Sequence, residues 1–252
     1  MMTPRERWLA LLNNQTPDRI PTDYWATGEV TQRLQRELGC ADHWALMERL
    51  HCDAPRHIGV PLPPGRNGCD CWGIQHRAMD YGTGSYNEVA THPLASAASV
   101  ADVHAYPWPR AADCDYDALR AHVTSLPRDR VVHCGHYEPF LLYCSLRGME
   151  QAMMDLALEP EIAGAIFAHI FDFYFELNQR MFEIAKGMVD ITYIAEDLGS
   201  QAGLLMSVEM IRRFILPNQK RMADLARSHG IHIFYHTDGA ARDIIPDLIS
   251  VT

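Results

Sequence analysis

The stretch Ile231–Leu248, IHIFYHTDGAARDIIPDL, decides the fold. Its apolar run ends abruptly in His236, Thr237, Asp238 and Gly239, and a helical pattern follows from about Ala240. A strand that stops on polar residues and turns straight into a helix is one strand–helix unit. The unit recurs upstream. VDITYIAEDLGSQAG is a strand whose end turns polar, and RVVHCGH is a shorter one. Five strands are expected, near Ile20–Trp25, Asp53–Val60, Val131–His136, Asp190–Glu196 and Ile231–His236.

Apolar, β-branched strands separated by helices imply parallel pairing through right-handed crossovers. Polar residues gather at the C-terminal ends of most of these strands, where a (β/α)8 barrel places its active site. The expected fold is therefore α/β, a single TIM-barrel-type domain over residues 1–252 with about five of the eight strands present. Five strands do not close such a barrel, and IPDLISVT ends where another strand is due, so a fragment is expected.

Helices carry their own punctuation. Thr3 and Glu6 make a capping-box pattern with Pro4 at the first helical position. A second helix is expected over roughly Glu29–Leu50, and a long one from Pro160 to Lys186. Ser207 caps a further helix that Pro217 kinks and Gly230 ends. Met153, Met154, Phe167, Phe171 and Phe175 fall at helical spacings and read as core. Between Cys52 and Pro109 the chain is rich in Pro, Gly and aromatics, with the alternation of a hairpin or two. Residues 61–109 read as a surface excursion, with a capping pattern from Ser99 to Asp102.

A formal charge of −10 with no basic stripe argues against nucleic acid as a partner. The N-terminus is a charged amphipathic helix rather than a signal sequence, and no apolar run reaches spanning length, so no membrane association is expected. Seven cysteines at irregular spacing do not form a disulfide framework, which points to a reducing, cytoplasmic setting. YGTGSYNEV lacks the strand-then-helix context of a dinucleotide fingerprint, so no nicotinamide, flavin or nucleotide cofactor is expected.

Three clusters can carry chemistry. In an extended strand His236 and Asp238 share a face, as metal ligands or an acid–base pair; the alternative is a histidine bonded to a neighbouring strand and an aspartate capping the next helix. Glu196 and Asp197 end the preceding strand, with Gln201 in the loop beyond, so Glu196 and His236 can share a cavity, as metal ligand, general base or tautomer holder; the alternative is two solvated surface acids. The third cluster is His133, Cys134 and His136, with Glu138 just past them, either metal ligands or a buried thiol beside an ordinary core histidine. Cys69 and Cys71 form a C-x-C with no second pair at zinc-ribbon spacing and read as structural.

TPRERWLALLNNQTPDRIPTDYW resembles the opening of the uroporphyrinogen decarboxylase superfamily, which includes the cobalamin-dependent methyltransferases. EDLGSQAGLLMSVEMIRRFILPNQKRMADLARSHGIHIFYHTDGAARDIIPDLI is similar to its central block. The resemblance implies a (β/α)8 barrel longer than this chain. It also implies one of two chemistries. The decarboxylases bind substrate carboxylates with an arginine-rich RQAGR segment, whereas the matching place here reads DYWATGE, from Asp23 to Glu29. The methyltransferases hold zinc with a His-x-Cys at this turn and a later cysteine; here His236 matches the histidine and Asp238 replaces the cysteine. The resemblance therefore favours corrinoid-linked methyl transfer between methylcobalamin or a small methylated substrate and an acceptor such as a thiol. Decarboxylation of a different acid is the alternative, and a non-catalytic remnant or half of a split protein a second. His236, Glu196 and Asp238 would be catalytic and zinc-binding, and Asp23, Tyr24, Gln201 and His136 would bind substrate. The partners would be a small molecule and a corrinoid protein.

Overall fold

The computed structural model describes residues 1–252, except for the side chain of His136. Helix α1 (Pro4–Leu12) starts with the full capping box: the Thr3 hydroxyl accepts from the Glu6 N–H, and the Glu6 carboxylate accepts from the Thr3 N–H. Its buried face carries Arg7, Trp8 and Ala10. The single helix expected over Glu29–Leu50 is two, α2 (Gly28–Leu38) and α3 (His43–Arg49), the second capped by Asp42 accepting from the Ala45 N–H.

The segment Ile20–Trp25 is not a strand. Pro21 has no N–H for a ladder, and the Thr22 N–H donates to the Asp53 carboxylate at 3.0 Å while its carbonyl accepts from the Asp53 N–H at 2.8 Å. Asp53 is a hub. Its carboxylate also takes the guanidinium groups of Arg7 and Arg19, and Arg7 and Asp53 are both buried. The strand expected over Asp53–Val60 shrinks to β1 (Arg56–His57), because Pro55, Gly59 and Pro61 bracket it.

Strands β2 (His76–Asp80) and β3 (Ser85–Val89) form the antiparallel hairpin expected in the irregular region. Helices α4 (Val100–Ala105), capped by Ser99, and α5 (Tyr116–Ser125) follow. Residues 61–109 are more than a surface excursion: Trp72, Ile74, Leu94 and Val103 are buried in the main core. The Trp72 ring meets Phe173 edge-on at 4.8 Å, and buried Arg147 donates to the carbonyls of Leu94 and Ala97.

From β4 (Val132–Tyr137) onward the chain alternates. Helices α6 (Pro139–Arg147), α7 (Met149–Leu158) and α8 (Pro160–Ile184) lead to β5 (Ile191–Ala195). Then α9 (Val208–Met210), a π-helical stretch Ile211–Ile215 and α10 (Leu216–Ser228) lead to β6 (His232–His236), and α11 (Ile245–Val251) follows. Ser207 caps α9 as expected, and the anticipated Pro217 kink is the π-helical turn just before it, which absorbs the missing N–H.

The main sheet is parallel with order β1-β4-β5-β6, four strands where the sequence suggested five, so the architecture is α/β. Ile191 pairs with both His133 and His232, and Ala195 with His236, so the strand ends are level. One face packs on α8 and α10. Along α8, Ile162, Ile166, Phe167, Ile170, Phe171, Tyr174, Leu177 and Met181 are buried at helical spacing, each worth about 1.5–3 kcal/mol relative to exposure. Of the helical residues read as core, Met154 instead faces solvent. On the other face Trp8 packs with Val131, Ile191 and Tyr193. Among the described residues no helix is long and apolar enough to cross a membrane.

Candidate functional site

Because β4, β5 and β6 run parallel, the residues that follow them emerge at one end of the sheet. Two loops there are held backbone to backbone. The Glu196 N–H donates to the His236 carbonyl at 3.0 Å, the Gly199 N–H to the Asp238 carbonyl at 3.2 Å, and the Ala240 N–H to the Ser200 carbonyl at 2.7 Å. A Cβ on Gly239 would lie 2.3 Å from the Gly199 oxygen, so this contact requires glycine. Gly135, at φ +87°, sits at a register shift between β4 and β5, and a Cβ there would lie 2.4 Å from the Tyr193 carbonyl oxygen. This bulge sets how the chain leaves β4 toward Glu138.

Glu138, Asp197 and His236 follow or end these three strands, and each offers a ligand atom within 4.8 Å of the other two. His236 Nε2 is 3.4 Å from Asp197 Oδ1 and 3.9 Å from Asp238 Oδ1. Ligand atoms around a tetrahedral zinc ion stand roughly 3.3–3.5 Å apart, given Zn–N and Zn–O bonds of about 2.0–2.2 Å. The His236–Asp197 pair stands at that spacing, and Glu138 brings a second carboxylate oxygen within 4.8 Å of both, so one imidazole nitrogen and two carboxylate oxygens make a donor set suited to a divalent cation.

The sequence reading grouped His236 with Glu196 and Asp238, whereas the structure brings Asp197 to it. Glu196 and Asp197 leave the strand on opposite sides, and it is Asp197 that turns toward His236. Glu196 points into the layer between sheet and helices, fully buried, its carboxylate accepting from the Phe140 N–H at 3.1 and 3.0 Å. Burial pushes its pKa well above the usual carboxylate range; the Phe140 N–H pulls the other way, and the nearby charges of Glu138 and Asp197 raise it further. Asp238 lies beyond the last residue of β6, so the shared-face rule no longer governs it. Its side chain is 74% exposed and outside the three-residue group, while its N–H donates to Asp197 Oδ1 at 3.0 Å.

Of the expected substrate-binding residues, Asp23 is at this end of the sheet. It accepts from the Tyr24 N–H at 2.7 Å and from the Trp25 indole N–H at 2.8 Å. That fixes Trp25, whose ring centroid is 6.1 Å from both Tyr193 and His236. Burial pushes the Tyr193 hydroxyl up to about 12, with Asp23 adding to the effect. Tyr24 turns away. Its hydroxyl bonds Thr31 at 3.0 Å and its ring meets His43, in a small core with Leu46 and Met47. Gln201 is exposed in the loop whose turn Ser200 ties, apart from the three-residue group. The expected role of His136 lies outside the described residues. The sequence reading named Glu138, Asp197 and Trp25 without giving them a site role; HCGHYEP and AEDLG each place a carboxylate just past an extended run, and TDYWA ends one on an aromatic.

No family model and no curated protein matches the chain. Among solved structures, a methyltransferase from Methanosarcina mazei is similar to it in fold, with a TM-score of 0.63 and 18% sequence identity over 100% of this chain and 74% of that one. This likeness concerns the fold.

Proposed function

We propose that the chain is a methyltransferase of the uroporphyrinogen decarboxylase superfamily, with its site at the ends of β4, β5 and β6. The observation that carries the reading is the grouping of Glu138, Asp197 and His236 at that end of the sheet, in a fold shared with a methyltransferase. These residues would hold a zinc ion, whose chemistry would be to lower the pKa of a thiol acceptor. A donor set with two carboxylates and no thiolate makes the ion harder than a cysteine site. With methylcobalamin as the methyl-donating substrate, the thiol sulfur would gain the methyl group and the corrinoid would keep the electron pair of the broken cobalt–carbon bond. Asp23 fixes Trp25, and Trp25 beside Tyr193 would offer an apolar surface to the methyl group.

The test is a spectrophotometric assay of zinc-loaded protein with methylcobalamin and a small alkyl thiol. The expected result is loss of the methylcobalamin band at a rate that needs the protein and collapses in His236→Ala. No turnover by loaded wild type with any thiol, alongside release of carbon dioxide from a small acid, would replace methyl transfer by the decarboxylase chemistry.

A further inference from the structure

Behind the three-residue group, on the helix-facing side of the sheet, lies a chamber whose lining includes Tyr137, Phe171, Tyr174, Ile194, Glu196 and Gln219. Gln219, on α10, is 1% exposed. Its Nε2 donates to the Tyr235 hydroxyl at 2.7 Å, and its Oε1 is buried without a hydrogen-bond partner among the described residues. Turning the amide over changes which atom is left over but leaves one of them orphaned. A buried amide oxygen without a donor costs about 1–3 kcal/mol. The chamber has about 20 Å³ for the centre of a water molecule, above the roughly 10–15 Å³ that one water needs.

Glu196 shares that lining and has ties to every member of the site in front of it. Its N–H bonds the His236 carbonyl, its carboxylate accepts from Phe140 two residues past Glu138, and Asp197 is its chain neighbour. Phe140 is in the first turn of α6, so the carboxylate also satisfies a helix N–H that has no partner within the helix. A water donating one O–H to Gln219 and the other to Glu196 would satisfy both groups at once.

We propose that Glu196 and Gln219 share one buried water in this chamber, and that Glu196 is a positioning residue that holds the end of β5 and the start of α6 so that Asp197 and Glu138 converge on His236. The positioning rests on the cation reading of the site; the water bridge does not. Glu196→Gln keeps an acceptor for Phe140 and a polar partner for the water. Glu196→Leu keeps neither, and Gln219→Leu removes the far end of the bridge.

The experiment measures two quantities in wild type and the three variants, under conditions where near-UV circular dichroism shows each folded: amide exchange of the Phe140 N–H, and zinc affinity. Glu196→Gln is expected to stay within a few-fold of wild type in both. Glu196→Leu and Gln219→Leu are expected to speed Phe140 exchange and to weaken zinc by about tenfold or more, the scale of losses when a ligand's supporting contacts are removed. If Glu196→Leu does not fold, the contrast between Glu196→Gln and Gln219→Leu carries the test. Wild-type exchange and affinity in both leucine variants would overturn the positioning role, and a high-resolution crystal structure with no water between Glu196 and Gln219 would overturn the bridge. Wild type that binds no zinc, with Phe140 exchange still following Glu196 and Gln219, would sink the cation reading and leave the bridge standing.

Discussion

Asp197 Oδ1 lies 3.4 Å from His236 Nε2, across two parallel strand ends that hydrogen-bond to each other through Glu196 N–H and the His236 carbonyl. The backbone bond sets the side-chain spacing. With β5 and β6 level, Asp197 in the loop after β5 reaches the histidine that ends β6.

Trp25 is 59% exposed, and its ring stands 6.1 Å from His236. Zinc binding by His236 is expected to change tryptophan emission, and Trp25→Phe is expected to remove that response while zinc still binds. A response that persists in Trp25→Phe would place the reporting indole elsewhere.

Asp53 is buried and bonded to Arg7 and Arg19, and it replaces the ladder that Ile20–Trp25 lacks. Asp53→Ala leaves the buried Arg7 guanidinium with only Asp18 as a charge partner. Breaking a buried pair costs about 3–5 kcal/mol. Urea unfolding should show that loss; a change under about 1 kcal/mol, as for exposed pairs, would mean that Asp18 alone suffices.

Gly135 has φ +87°, and an added Cβ would meet the Tyr193 carbonyl. Gly135→Ala is expected to cost at least about 1–3 kcal/mol from the backbone alone, and to weaken zinc because Glu138 follows the displaced strand. Unaltered stability and affinity would show that the bulge is dispensable.

Burial pushes the thiols of Cys134 and Cys144 up to about 12 and that of Cys114 up to about 11. A raised folded-state pKa means that the native state holds its proton more tightly than the unfolded chain. The stability this contributes is complete below about pH 8.5, the unfolded thiol value, and is lost as pH rises toward the folded values. The urea midpoint should therefore fall between about pH 9 and 12. At pH 8, iodoacetamide should modify the partly exposed Cys40 and Cys69 well before these three, as peptide mass mapping would show. Early labelling of Cys134 would contradict its burial.

Much of the architecture was legible because periodicity and punctuation agree over the second half of the chain. The capping residues Thr3, Ser99 and Ser207, the long apolar stripe of α8 and the strands ending near His136, Glu196 and His236 all follow from local rules. The Ile20–Trp25 segment misled because its apolar and aromatic residues resemble a strand, while the carboxylate that replaces its ladder comes from Asp53, distant in sequence. At the site, His236 could be read from the abrupt end of its strand. Which of Glu196 and Asp197 faces it could not, since a one-residue difference in where β5 ends reverses the answer. Tyr24 and Trp25 exchange places for the same reason: the extended segment that carries them is oriented by Asp23 and by the α2–α3 core rather than by a ladder.

The most direct measurement is zinc stoichiometry by equilibrium dialysis for wild type, Glu138→Gln, Asp197→Ala, His236→Ala and Asp238→Ala. The account predicts one zinc per chain in wild type and in Asp238→Ala, and loss of the metal when Glu138, Asp197 or His236 is replaced. Zinc that is lost in Asp238→Ala but retained in Asp197→Ala, or no zinc in wild type, would contradict it.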